Sequence, residues 1–256
     1  FDEAHKIEDQ IIQFVGFDIF AGQVDECNLN TEKYNFTDLD SMIQLTDDIA
    51  FSYAKKIKDV HDKGYEIGIV IGGGNIFRGM SVSAKGMDRV AADYLGMMAT
   101  IMNSVALQNE LEKLDCDTRV MSALSIRQLA EPYIRRRAIR HMEKGRIVII
   151  AGGTGNPFFT TDSAAALRAN ELGSEILLKG TKVDGVYDKD PNKYSDAKKY
   201  DKLSYNKVIR DNLRVMDMTA ITLCKENNLP IIVFDMNKSG NLINLIEGKK
   251  VGTLIY

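Results

Sequence analysis

From about residue 47 onward, segments with apolar residues three and four apart alternate with short, continuous apolar runs. "DDIAFSYAKKIKDVHDKG" has the first pattern and stops at Gly64, which predicts a helix. "YEIGIVIGGGN" has the second and predicts a buried strand that runs straight into glycines. The stretch from Asp88 to Leu114 predicts a long helix whose apolar residues nearly surround it, so that it is buried on more than one side. A strand at "DTRVMSAL", a basic helix at "YIRRRAIRHMEKG" and a strand at "RIVIIAGG" follow. Further on, "SAAALRANELG" reads as a helix, "SEILLKG" as a strand, "TKVDGVYDKDP" as a turn-rich segment, "VMDMTAITLCKENN" as a helix and "LPIIVFD" as a strand. A short helix and "VGTLIY" close the chain.

Strands separated by helices in this way imply an α/β fold, a three-layer α/β/α sandwich with a mainly parallel central sheet. With 256 residues, 45% of them hydrophobic, the chain fits one domain over 1–256. Its formal charge of -3, from interleaved acids and bases, predicts neither a nucleic-acid partner nor an anionic membrane surface. Cys27, Cys116 and Cys224 are odd in number and far apart, which predicts a reduced, cytoplasmic protein without structural zinc. His5, His61 and His141 are isolated and read as surface or packing residues. No apolar run approaches the roughly 20 residues of a membrane span, and the opening "FDEAHKIEDQ" is too acidic for a signal peptide.

The chemistry gathers in three glycine-rich loops, each placed at a strand end: Gly72 to Gly79, Gly152 to Asp162 and Gly180 to Pro191. Glycines let backbone N–H groups close on an oxyanion, and a helix N-terminus behind such a loop adds partial positive charge. No GxxxxGK[ST] run exists, and GxGxxG fails at Gly72 because Phe77 stands where the last glycine belongs. The loops therefore predict a phosphorylated ligand without a P-loop or a Rossmann fingerprint.

Arg78, four residues beyond Gly74, either forms a surface ion pair or swings a charged fork toward the loop's ligand. Thr160, Thr161 and Asp162 are suited to start the following helix. Capping does not account for Phe158 and Phe159, which either plug the core or wall off a planar base. Met97, Met98 and Met102 read as core or subunit packing, and Arg135 to Arg137 as a solvated helix face.

"GIVIGGGNIFRG", "MDRVAADYLGMMATIMNSVAL", "GTGNPFFTTDSAA", "LLKGTKVDGVYDKDP" and "VMDMTAITL" together resemble the bacterial uridylate (UMP) kinases of the amino-acid-kinase fold, over roughly Ile49 to Tyr256. The resemblance implies phosphoryl transfer from ATP, with Mg2+, to UMP in pyrimidine nucleotide synthesis. It places UMP at Gly73, Asp93, Thr154, Gly155, Asn156, Pro157, Phe158, Phe159, Thr160 and Thr161. ATP falls to Gly74, Arg78, Thr181, Tyr187 and Asp190, with Arg78 and Asp162 catalytic and Mg2+ carried on the nucleotide phosphates. It further implies a UMP-binding and oligomerisation side over 1–170, an ATP side over 171–256, a homohexamer, and GTP and UTP as effectors.

One part of the pattern is missing. Members of the family begin with a strand like K-L-S-G-E, whose lysine neutralises the transferring phosphoryl. The nearest run here, "IIQFVGFDIFAG", puts Gln13 at the lysine position and keeps only Gly16. A glutamine does not replace a point charge. Lys179 and Lys182 are the basic residues near the ATP segment that would substitute. Two other readings stay open: a nucleotide-binding protein that has lost turnover, and a kinase of the same fold acting on a carboxylate.

Overall fold

The computed structural model describes residues 11–15, 39–77, 86–191, 193–213 and 215–256. In chain order the elements are β1 (Ile11–Val15), α1 (Leu39–His61), β2 (Glu66–Val70), α2 (Arg89–Lys113), β3 (Thr118–Ser122) and β4 (Glu131–Pro132). Next come α3 (Arg135–Met142), β5 (Ile147–Ala151), α4 (Thr161–Leu172), β6 (Ile176–Thr181), β7 (Val186–Tyr187), β8 (Lys199–Tyr200) and β9 (Lys202–Leu203). The chain closes with α5 (Tyr205–Arg210), α6 (Met218–Glu226), β10 (Ile231–Asp235), α7 (Asn241–Ile246) and β11 (Thr253–Ile255).

Among the described residues the main sheet has nine strands in the order β4-β3-β5-β2-β1-β6-β10-β11-β9. All neighbours are parallel except β10 and β11. β7 and β8 form a separate antiparallel pair. Every residue of β5 is buried, which is why it reads as the unbroken apolar run "IVIIA". One core layer, with Tyr53, Ile57, Ile101 and Leu107, packs α1, α2 and α7 on one face. The other, with Ala165, Ala169, Val208 and Ile221, packs α4, α5 and α6 on the opposite face. The three-layer α/β/α expectation holds.

The helix ends follow local chemistry. Asp88 caps α2 by accepting the Ala91 N–H at 2.9 Å, and Thr160 caps α4 by accepting the Ser163 N–H at 3.2 Å. α4 stops at Gly173, whose φ of 72° is the left-handed conformation favoured after a last turn.

Two expectations need correction. α1 begins at Leu39, eight residues ahead of Asp47. α2 is 25 residues long and contains an 18-residue stretch of mean hydropathy 1.3, long and apolar enough to cross a membrane by length and composition alone. It instead packs beside α1 in one layer, with Thr100, Asn103, Ser104 and Glu110 buried among its apolar residues. Its methionines divide: Met97 is buried, while Met98 and Met102 are exposed together with Tyr94 and Leu95.

Candidate active site

β2 and β5 are neighbours in the sheet, so the glycine loops at their carboxyl ends come together over α2. Helix α2 fixes both. Asn103, buried, donates to the Gly72 carbonyl and to Asn75, both at 2.7 Å. Thr100 accepts the Gly152 N–H at 2.8 Å while donating to the Met97 carbonyl at 2.7 Å. Gly73 lies flat on the helix: a Cβ there would stand 2.7 Å from the Gly96 carbonyl oxygen and 2.8 Å from the Ala99 Cβ. Only glycine allows that approach.

A cavity of about 220 Å³ opens between these loops. The lining residues already expected are Gly73, Gly74, Asp93, Thr154, Asn156, Phe159, Thr160 and Thr161. Gly74, assigned to ATP by resemblance, thus stands beside Gly73 in the same cavity. Gly155, Pro157 and Phe158 do not line it and instead shape the loop. Gly152, Gly153 and Gly155 all have positive φ, and Phe158 joins them at 71°. That is an uncommon conformation for a bulky residue and costs energy wherever it is held. Here the Phe158 N–H donates to Asp93 Oδ2 at 2.8 Å, and its ring lies 5.7 Å from the Arg89 guanidinium carbon. Of the two phenylalanines, Phe159 is the one that faces the cavity.

Asp93 is held from its own helix as well. Arg89, one turn earlier, donates through Nε to both carboxylate oxygens at 2.8 and 2.9 Å. On the far side of the loop, Asp217 ties two helix starts together. It caps α6 by accepting the Ala220 N–H at 2.8 Å, and it accepts the hydroxyls of Thr160 and Ser163. Arg89 and Asp217 were not among the expected site residues. The four-residue step from Arg89 to Asp93 was a legible signal for the first.

Asp162 lies in the first turn of α4 and pairs with Lys179 of β6. Lys179 stands in register with Val15 of β1 and Val233 of β10, two residues before Thr181. The ion pair therefore spans from the loop that forms the cavity to the strand that leads into the third glycine loop. In that loop Thr181 donates to the Val183 carbonyl at 2.7 Å, and Asp190 pairs with Lys193 at 3.8 Å. Tyr187 donates to Asp184 at 2.6 Å, and Lys199 reaches the same carboxylate at 3.0 Å. Burial pushes the Asp184 pKa up, but the hydrogen bonds from Tyr187 and Lys199 outweigh it and hold the carboxyl below its ordinary value. None of Thr181, Tyr187 and Asp190 lines the cavity over α2.

Arg78 lies outside the described residues. Among the described residues no three His, Cys, Asp or Glu side chains gather as a metal site. Asp162 is itself engaged by Lys179.

The model of the amino acid kinase family matches residues 40–235. Among solved structures, the chain is similar to the UMP kinase of Bacillus anthracis, at 38% identity and a TM-score of 0.81, over 96% of this chain and 94% of that one. It is also similar to the UMP kinase of Ureaplasma parvum, at 36% identity and a TM-score of 0.79, over 97% and 99%. The uridylate kinase of Archaeoglobus fulgidus, at 24% identity and a TM-score of 0.68 over 96% and 100%, shares the fold. A family match over most of the chain, a mainly parallel central sheet and two relatives above one-third identity lead to one conclusion: the chain belongs to the amino acid kinase family.

Proposed function

We propose that this protein is a UMP kinase, which transfers the γ-phosphoryl of ATP to UMP and yields UDP and ADP. The observation that carries the reading is the α2 cavity, where an aromatic wall, a fixed carboxylate and the start of a helix converge in one concave site. Phe159 walls the uracil, Asp93 takes ribose hydroxyls or the base edge, and the loop from Thr154 to Thr161 surrounds the rest of the nucleotide. The N-terminus of α4 adds the partial positive charge of its free N–H groups. Residues 1–170 supply this side, and 171–256 supply the ATP side through Thr181, Tyr187 and Asp190.

Phosphoryl transfer asks the protein for alignment and for charges that absorb the developing anion. The acceptor phosphate is already anionic at neutral pH, so no general base is needed. Carried on the ATP phosphates, Mg2+ would neutralise part of their charge. Lys179, held by Asp162 between the two sides, supplies the fixed cation that the β1 position lacks. Arg78 keeps the donor role that the resemblance gives it.

The exposed apolar face of α2 supports a subunit contact, in line with a homohexamer. GTP and UTP as effectors, cytoplasmic residence and a place in pyrimidine nucleotide synthesis accompany the reading. A second reading, nucleotide binding without turnover, is favoured by one observation. β1 takes its central place between β2 and β6 with Gln13 in register with Leu177, so the strand is kept without the lysine of its motif.

An ADP-release assay with ATP and Mg2+, run separately with UMP, CMP, dTMP and acetylglutamate, tests these readings. Turnover specific to UMP is the expected result. Tight binding of UMP and ATP without turnover establishes the second reading, and turnover with acetylglutamate points to a carboxylate acceptor.

A further inference from the structure

We propose that Arg89 binds the phosphate of the acceptor nucleotide, an inference that rests on reading the α2 cavity as the acceptor site. Among the described residues that line this cavity, Arg89 is the one cation and Asp93 the one anion. A nucleoside monophosphate brings a charge of about -1.5 to -2 at neutral pH. Hydroxyls and backbone N–H groups alone would leave that charge facing the Asp93 carboxylate. A guanidinium in the same wall turns this repulsion into attraction, and its planar fork matches two phosphate oxygens at once.

The way Arg89 is held suits that task. Its Nε donates to both oxygens of Asp93, so one of its five N–H groups is used. The terminal Nη groups make no contact with that carboxylate within hydrogen-bond range. Asp93 is itself fixed by the Phe158 N–H at 2.8 Å, and the Phe158 ring lies beside the guanidinium. The side chain is thus anchored before any ligand arrives, which lowers the entropy lost on binding. The four-residue step along α2 places a group for the sugar and a group for the phosphate side by side. Sugar and phosphate are adjacent in the same way in a 5′-nucleotide.

The test compares UMP with uridine, which differ by the phosphate alone, in calorimetric titrations of the wild type, Arg89→Ala, Arg89→Lys and Arg89→Gln. Loss of a charged, bidentate contact is expected to weaken UMP by about tenfold to a hundredfold while uridine changes little. Arg89→Lys keeps the charge without the fork and falls between. An unchanged dissociation constant for ATP shows that the fold is intact, and Arg89→Gln carries the test if Arg89→Ala does not fold. Equal losses for UMP and uridine would overturn the proposal, because Arg89 would then act only by holding Asp93. An undiminished preference for UMP over uridine would overturn it too. Failure of the UMP reading gives a separate signature: a wild type that does not prefer UMP over CMP and AMP.

Discussion

Lys179 and Asp162 are ion-paired across the gap between the carboxyl end of β6 and the first turn of α4. Both side chains are largely buried, at 17% and 19% exposure, so solvent screens the pair only in part. The contact aims the ammonium toward the α4 start, where the acceptor loop ends. If Lys179 meets the transferring phosphoryl, Lys179→Met lowers kcat by about a hundredfold to a thousandfold, the usual scale for loss of one stabilising group. The UMP dissociation constant stays within a few-fold. Steady-state kinetics beside UMP titration checks both, and loss of UMP affinity without a fall in kcat contradicts the role.

The two phenylalanines of the acceptor loop separate in the same kind of experiment. Phe159 lines the cavity, whereas Phe158 holds its N–H on Asp93 and keeps its ring beside Arg89. Phe159→Ala is expected to raise KM for UMP by about tenfold, within the 1–3 kcal/mol assigned to one base–aromatic stack. Phe158→Ala should do so by less. Asp93→Asn should weaken UMP far more than ATP, and an equal loss of both would contradict the division of the site.

Gly73→Ala tests how tightly the β2 loop rests on α2. The added methyl meets the Gly96 carbonyl oxygen and the Thr100 backbone nitrogen at 2.7 and 2.9 Å, and neither is the end of a flexible side chain. A cost of about 1–3 kcal/mol is expected in thermal or urea unfolding, together with weaker UMP binding. Gly64→Ala, where open space surrounds the site, serves as the comparison for strain alone, since its φ is +87°.

Tyr94, Leu95, Met98 and Met102 share the exposed side of α2, with Met102 at 59% exposure. If this face is the proposed subunit contact, Leu95→Glu combined with Met102→Glu is expected to lower the sedimentation coefficient. An unchanged coefficient would contradict a contact at this face.

Burial pushes the Cys224 thiol up to about 12 from an ordinary 9.0. A raised folded pKa contributes stability that is complete below the unfolded value and is lost as pH rises toward the folded one. Unfolding free energy should therefore decline as pH climbs from about 9 toward about 12. The slope, read from urea unfolding at successive pH values, should be shallower in Cys224→Ala. In the native protein near pH 8 the thiol should resist iodoacetamide.

What the sequence made legible was mostly local. Gly152, Gly153 and Gly155 announce positive φ, and Thr160 followed by Asp162 announces a helix start, because both depend on neighbours in the chain. The long strands and helices carry their own period. β4, β7, β8 and β9 are two residues each and have none. At α1 the helical pattern is read from about Asp47, yet the helix begins at Leu39. Asp217 was missed for a different reason: it reaches Ser163 from 54 residues away, and only the packing of α4 against α6 brings them together.

The place of β1 sets the order in which the molecule can be assembled. Its five residues pair on one side with β2 and four of them on the other with β6, where Val15 meets Lys179, 164 positions further along (179 - 15). Until β6 exists, one edge of β1 has no partner, and the two halves of the sheet have nothing to join them. So long a loop closure delays the reward of contact formation, which slows folding and leaves an open strand edge during synthesis. The strand that carries Gln13 thus acts late as the seam of the fold, even though it precedes β6 in the chain.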